Sequence, residues 1–205
     1  MTSLREQLGG GRHGMPELRM MLPPGWVLYD TSAETERALL DKARARLREA
    51  GRPETYALVS AHVERALAAA RKQGAFMMIM AGDEAPEWAT VPVSILGTLV
   101  KGTPAVSLDA MVADAVERRG ARALHDSRQF LRWVDRRTVE LSGETAGAYT
   151  VVYLTPIPGS RRTQALQLTA TLVHPTETDP ESDAAMRAWL ELLDAHVATL
   201  AWTGR

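Results

Sequence analysis

Two long stretches of helical periodicity stand near the front of the chain. In the first, Leu39, Leu40, Ala43 and Leu47 form a narrow apolar stripe. Ser32 is placed to cap it, Glu34 and Glu36 suit the positive end of its dipole, and Gly51 gives it a left-handed stop. In the second, Tyr56, Val59, Val63, Leu67 and Ala70 share one face, Pro53 lies in the first turn and Gly74 ends the run. The short link predicts an antiparallel helical pair. Leu58 falls on the outer side of the second helix as an exposed apolar residue.

The pattern then changes to strands. Ala75 to Ala81 (AFMMIMA) is a continuous apolar run too short for a helix, and it predicts a buried central strand. The acidic turn Gly82 to Glu87 leads to a second strand, Val91 to Val100, as a long-looped hairpin. Ser107 opens a third helix with Leu108, Met111, Val112, Ala115 and Val116 inward, and Gly120 closes it. Ala121–His125, Phe130–Leu141, Ala148–Leu154 and Gln164–Val173 follow as an antiparallel meander. A final helix from about Pro180 to Leu200 carries a broad apolar face and is expected to pack across that meander. Ahead of all this, Glu17–Leu22 and Trp26–Tyr29 are short extended pieces around Pro23-Pro24-Gly25. Residues 1–16, with four glycines in six positions, read as a flexible tail, and 17–205 as a single domain. The expected fold is α+β: one antiparallel sheet of about six strands, helices mainly on one face, and the N-terminal helical pair at an edge.

Composition narrows the function classes. Hydrophobic content of 45% and charged content of 24% are those of a globular chain. A net charge of −1 lacks the basic excess of a nucleic-acid binder, so no nucleic-acid partner is expected. Lysine occurs only at Lys42, Lys72 and Lys101, and the arginine- and alanine-rich usage points to a GC-rich genome, with an actinobacterial origin as the expectation. With no cysteine, thiolate catalysis and sulfur-ligated zinc are excluded. No apolar run approaches the roughly 18 residues of a membrane span. The expectation is a cytoplasmic protein without a membrane partner.

The order helix, meander, helix, closing on Leu193 to Trp202 (LDAHVATLAW), resembles the PsbP-like α+β fold in topology over residues 75–202, and Pro23 to Trp26 (PPGW) is similar to a turn in the early part of its members. Many bacterial members are actinobacterial and close with a comparable helix and tryptophan. The helical pair at 32–74 departs from the smaller members. The resemblance implies an accessory or binding protein and carries no catalytic residue with it.

Chemistry-bearing residues are scattered. Gly9-Gly10-Gly11-Arg12-His13-Gly14 lacks the preceding strand and the following lysine of a phosphate loop. His13, His62, His125, His174 and His196 form no metal-ligand spacing, and neither Asp83-Glu84-Glu87 nor Glu177-Asp179-Glu181-Asp183 has calcium-loop spacing. No metal, no cofactor and no catalytic residue are assigned. Two sets remain as candidates. Phe76, Met78, Met80, Trp88, Trp189 and Trp202 would line an apolar pocket between the sheet and the C-terminal helix. Arg136, Arg137, Arg161 and Arg162 would hold an anion if the pairs converged, whereas Arg118-Arg119 suits a helix C-terminus. The reading favoured is a non-enzymatic binding or adaptor protein with a protein partner or a second copy of itself. The alternative is a small-molecule carrier or enzyme with the apolar pocket.

Overall fold

Side-chain oxygens set the helix starts in the computed structural model, which describes residues 15–90, 93–126, 129–141 and 144–203. Ser32 accepts from the Thr35 amide to open α1 (Ala33–Glu49), and α2 (Tyr56–Lys72) runs back beside it after a single 3-10 turn. Ser107 accepts from Ala110 at the start of α3 (Leu108–Arg119), and Asp183 from Met186 at the start of α4 (Ala184–Ala198). Each cap satisfies an amide that the helix itself leaves free. Gly51 and Gly120 follow α1 and α3 in left-handed backbone.

Nine strands lie among the described residues: β1 (Glu17–Arg19), β2 (Trp26–Asp30), β3 (Ala75–Ala81), β4 (Val93–Lys101), β5 (Arg122–Ala123), β6 (Leu131–Leu141), β7 (Glu144–Pro156), β8 (Gln164–His174) and β9 (Ala201–Thr203). Seven form one antiparallel sheet in the order β2-β3-β4-β8-β7-β6-β5, and β1 pairs with β9 in a separate two-stranded sheet. The main sheet therefore has one strand more than expected. The two early extended pieces pair with β9 and β3, not with each other. The last helix ends at Ala198, and the tryptophan-bearing end is a strand in which Trp202 lies opposite Leu18.

Alternation along the strands separates two cores. On one face Met77, Ile79, Ile95, Leu166, Leu168, Ala170, Val151 and Tyr153 pack under Leu190, Leu193 and Val197 of α4. On the other, Trp133, Val152, Leu154 and Ala165 pack under Leu108 and Ala115 of α3. Val151 and Val152 are neighbours in sequence, so they point to opposite sides of the sheet. The expectation of helices mainly on one face is corrected by this arrangement. Leu193 and Val197 are fully buried, and such side chains each contribute about 1.5–3 kcal/mol relative to exposure.

The helical pair lies along β2 and β3. Thr31 donates to the Ala75 carbonyl, Arg71 donates to the Thr31 carbonyl and pairs with Glu36, and Lys42 and Arg46 both reach Asp83 beyond the far end of β3. Lys42 beside Asp83 holds that carboxyl below its usual range, with Arg46 adding to the effect. Leu67 and Ala70 of α2 are buried, whereas α1 buries no residue completely. β3 stands second from the sheet edge. Its Met77 and Ile79 are buried while Phe76, Met78 and Met80 are half-buried, so it is not a strand enclosed on both sides. Of the tail expected over residues 1–16, residues 1–14 with the glycine cluster lie outside the described residues, and Met15 packs against the core.

Candidate functional site

A column of three tryptophans forms where the β3–β4 loop meets α4. Trp26 is buried on β2 and its indole N–H donates 3.0 Å to the Ala89 carbonyl, which fixes the 3-10 turn Glu87–Ala89. Trp189 of α4 stacks on Trp26 with ring centroids 6.0 Å apart, and Trp88 tilts onto Trp189 at 6.4 Å. The Pro23-Pro24-Gly25 turn supports the same loop. Gly25 has φ +72°, and a Cβ there would stand 2.3 Å from the Ala85 backbone. Only glycine allows that approach. The outcome is a rigidly backed Trp88 that remains 57% exposed, in a loop whose Glu84 and Glu87 are also exposed. Asp83 of the same loop is taken up by Lys42 and Arg46.

The six residues expected to line one apolar wall are divided by the sheet. Trp88 and Trp189 meet, and Phe76 and Trp202 pack at the margin of the α4-side core. Met78 and Met80 point to the face opposite Met77 and Ile79, away from α4. Between the sheet and α4 the side chains of Leu166, Leu168, Ala170 and Val197 have no exposure at all. That space is filled by packed core.

The arginine pairs are also separated. Arg136 and Arg137 stand opposite Tyr149 and Ala148 on β7, whereas Arg161 and Arg162 follow Pro156 at the other end of that strand. The eight steps from Ala148 to Pro156 span about 26 Å. Arg162 pairs with Asp109 at 2.8 Å, and both Arg161 and Arg162 adopt left-handed backbone, φ +52° and +60°. Arg118 and Arg119 pair with Asp114 within α3, as helix-end cations do.

Around Arg136 the chain builds a polar crevice of about 430 Å³, lined among others by Thr138, His174, Thr176, Glu177 and Asp179. Gly147 makes room for it. A Cβ at Gly147 would meet the His174 ring at 2.3 Å, so the imidazole occupies the place of a side chain. Arg136 bonds Glu181 at 2.8 Å, lies 3.7 Å from Asp179 and covers the Tyr149 ring at 5.3 Å; the Tyr149 hydroxyl donates to Glu181 at 2.9 Å. Arg136, and next Tyr149, hold the Glu181 carboxyl below its usual range, while burial and then Glu181 push the Tyr149 phenol up.

A second set sits further along the same ladder. Arg132 donates to Asp194 at 2.9 Å and the Tyr153 hydroxyl donates to the same oxygen at 2.6 Å, joining β6 and β7 to α4. Tyr153 is fully buried, and burial, followed by the Asp194 charge, pushes its phenol far above the ordinary range. Burial is the largest single influence on Arg132 and opposes its charge, but the bond to Asp194, the Asp194 charge and the neighbouring tyrosines together outweigh it and raise the guanidinium. Neither tyrosine was singled out from the sequence. The signal was present: Arg132 and Arg136 recur at even spacing on one strand, as do Tyr149 and Tyr153 on the next.

No helix among the described residues is long and apolar enough to cross a membrane, and among them no group of three or more His, Asp or Glu side chains is placed to hold a metal ion. No family model matches the chain. No curated protein matches it either. A crystal structure from Bacteroides thetaiotaomicron is similar at 11% identity and a TM-score of 0.38, over 65% of this chain and 40% of that one. This chain thus spans less than half the length of that solved protein, and the likeness is too low to carry an argument.

Proposed function

We propose that this protein is a non-enzymatic adaptor that takes a cationic segment of a partner protein against Trp88. The observation that carries this reading is an indole 57% exposed and backed by two further tryptophans. An exposed tryptophan on a fixed backing offers a large contact area with little ordering cost, as the strongest interface residues do. The chemistry of the partner follows from the surroundings. Glu84 and Glu87 are exposed in the same loop, and an arginine or lysine laid over the indole face would gain from both the ring quadrupole and the negative charge of this loop. The likeness of Pro23–Trp26 and Leu193–Trp202 to PsbP-like accessory proteins supports the same role.

The test is a fluorescence titration with synthetic arginine-rich peptides and their glutamate-substituted counterparts. The arginine-rich peptides should quench and shift tryptophan emission, lose affinity with salt, and lose the signal in Trp88→Ala. Equal binding by the Trp88→Ala protein, or no preference between the peptide classes, would overturn the reading.

A second reading rests on the crevice at Arg136, whose volume suits a small polar ligand. A carrier using it would read polar groups of its cargo, since threonines, a histidine and carboxylates line the space. Native mass spectrometry of protein from its own host, before and after denaturation, tests it: a reproducible mass released on denaturation supports the carrier and a bare chain counts against it.

A further inference from the structure

We infer that two copies of this chain join through the outer edge of β6, with the two-fold axis at Thr138, to make one continuous antiparallel sheet. β5 covers β6 only at Leu131 and Arg132, so among the described residues no strand pairs with the edge beyond. No described residue gives a backbone hydrogen bond to Val134, Arg136 or Thr138 from that side, and residues 135–138 and 140 are exposed. The amide of Leu124 donates to the Phe130 carbonyl, which therefore points outward. Strand groups alternate, so Val134, Arg136, Thr138 and Glu140 also present their N–H and C=O to the open edge.

That parity and the position of β5 leave few registers. A second antiparallel β6 must set outward groups against outward groups, and its Leu141 must stop short of β5. The first register that clears β5 places Arg137 against Arg137 of the second copy, a repulsive pair. The next places Arg136 against Glu140 and Thr138 against its own counterpart, with Arg137 against Val139 between them. Opposite charges then stand directly opposed twice, on the same face of the sheet, and no like charges are directly opposed. A further shift leaves Arg136 outside the ladder. Glu140 already accepts from Thr145 at 2.8 Å through one oxygen, and its second oxygen is left to face the incoming guanidinium. Charged residues on an open edge ordinarily deter pairing. In this register they cancel. The contact uses a surface separate from the adaptor reading: β6 and the β2 strand that carries Trp26 lie toward opposite edges of the sheet, so a pair of chains would present two Trp88 surfaces at its far ends.

The absence of cysteine from the sequence makes the register directly testable. Directly opposed residues of a hydrogen-bonded pair have Cα atoms about 5.5 Å apart, inside the disulfide range of about 4.4–6.8 Å. Thr138→Cys should therefore form a disulfide-linked dimer under mild oxidation, and Asp135→Cys should cross-link much more slowly. In sedimentation velocity over a concentration series, the unaltered chain should pass from monomer to dimer. Thr138→Pro, which removes one outward N–H at an edge position that tolerates proline, should remain monomeric with an unchanged circular dichroism spectrum. A chain that stays monomeric at the highest concentration overturns the inference, and so does a dimer that survives Thr138→Pro. Equal cross-linking by the two cysteine variants would overturn the register with it.

Discussion

The two arginine–tyrosine–carboxylate sets on β6 and β7 share their chemistry and differ in their surroundings. In each, an arginine of β6 stands directly opposite a tyrosine of β7: Arg132 with Tyr153, Arg136 with Tyr149. In each, a carboxylate from the C-terminal part of the chain holds both, Asp194 from α4 or Glu181 from the segment before it. The first pair keeps 22% and 23% of its side-chain surface exposed, the second 54% and 58%. Water can replace what Glu181 provides. It cannot easily reach the hydroxyl of Tyr153, which has no exposure. The same three groups are thus a strut in one place and a screened surface clasp in the other.

The largest expected effect comes from Asp194→Ala. It leaves the buried Tyr153 hydroxyl without its acceptor and the partly buried Arg132 guanidinium without its counter-charge, and should cost about 2–4 kcal/mol in urea denaturation. A loss below about 1 kcal/mol would mean that water takes the place of the carboxylate.

Tyr153→Phe removes one hydrogen bond and should cost about 1 kcal/mol. It also carries a signature in pH. Because burial and Asp194 raise the Tyr153 phenol, the folded chain holds that proton more tightly than the unfolded one. Its contribution is complete below the ordinary tyrosine range and is lost as pH rises through the folded value. The fall of stability in alkali should therefore be shallower in Tyr153→Phe, and an ultraviolet titration should lose its latest phenolate step.

Glu181→Gln is the smallest, about 0.5 kcal/mol or less, because the clasp is exposed. Its carboxyl lies low because of Arg136 and Tyr149, so its contribution is present above the ordinary glutamate range and fades as pH falls through the folded value. Moderate salt should erase most of it in thermal melts. If Glu181→Gln cost as much as Asp194→Ala, the distinction between strut and clasp would collapse.

Much of the local structure was legible because it is decided locally. Ser32, Ser107, Gly51 and Gly120 bound their helices through a single hydroxyl or a single backbone conformation, and β8 shows its alternation without ambiguity. What was not legible depended on which face each strand offers to which helix. In β7, Tyr149, Val151 and Tyr153 alternate with Thr150, Val152 and Leu154, and both series are buried. That double burial signals helices on both faces, yet it reads as an ordinary apolar strand when taken alone. β3 misled in the opposite sense. Its methionines fit either a buried or a half-open face, and only the register against β2 and β4 assigns Met78 and Met80 to the half-open one. The candidate site was least visible. Trp26, Trp88 and Trp189 come from three distant segments, and no spacing in sequence announces that they stack.

The pairing of β1 with β9 has a mechanical consequence. Glu17 stands directly opposite Thr203, followed by Leu18 with Trp202 and Arg19 with Ala201. A force pulling the two strands apart from Glu17 and Thr203 loads this ladder one bond at a time, as a zipper rather than in shear. The three-residue ladder would peel at low force while the seven-stranded sheet, enclosed between α3 and α4, carried none of the load. A load applied through Glu17 and Thr203 would meet a compliant link first and a stiff body behind it.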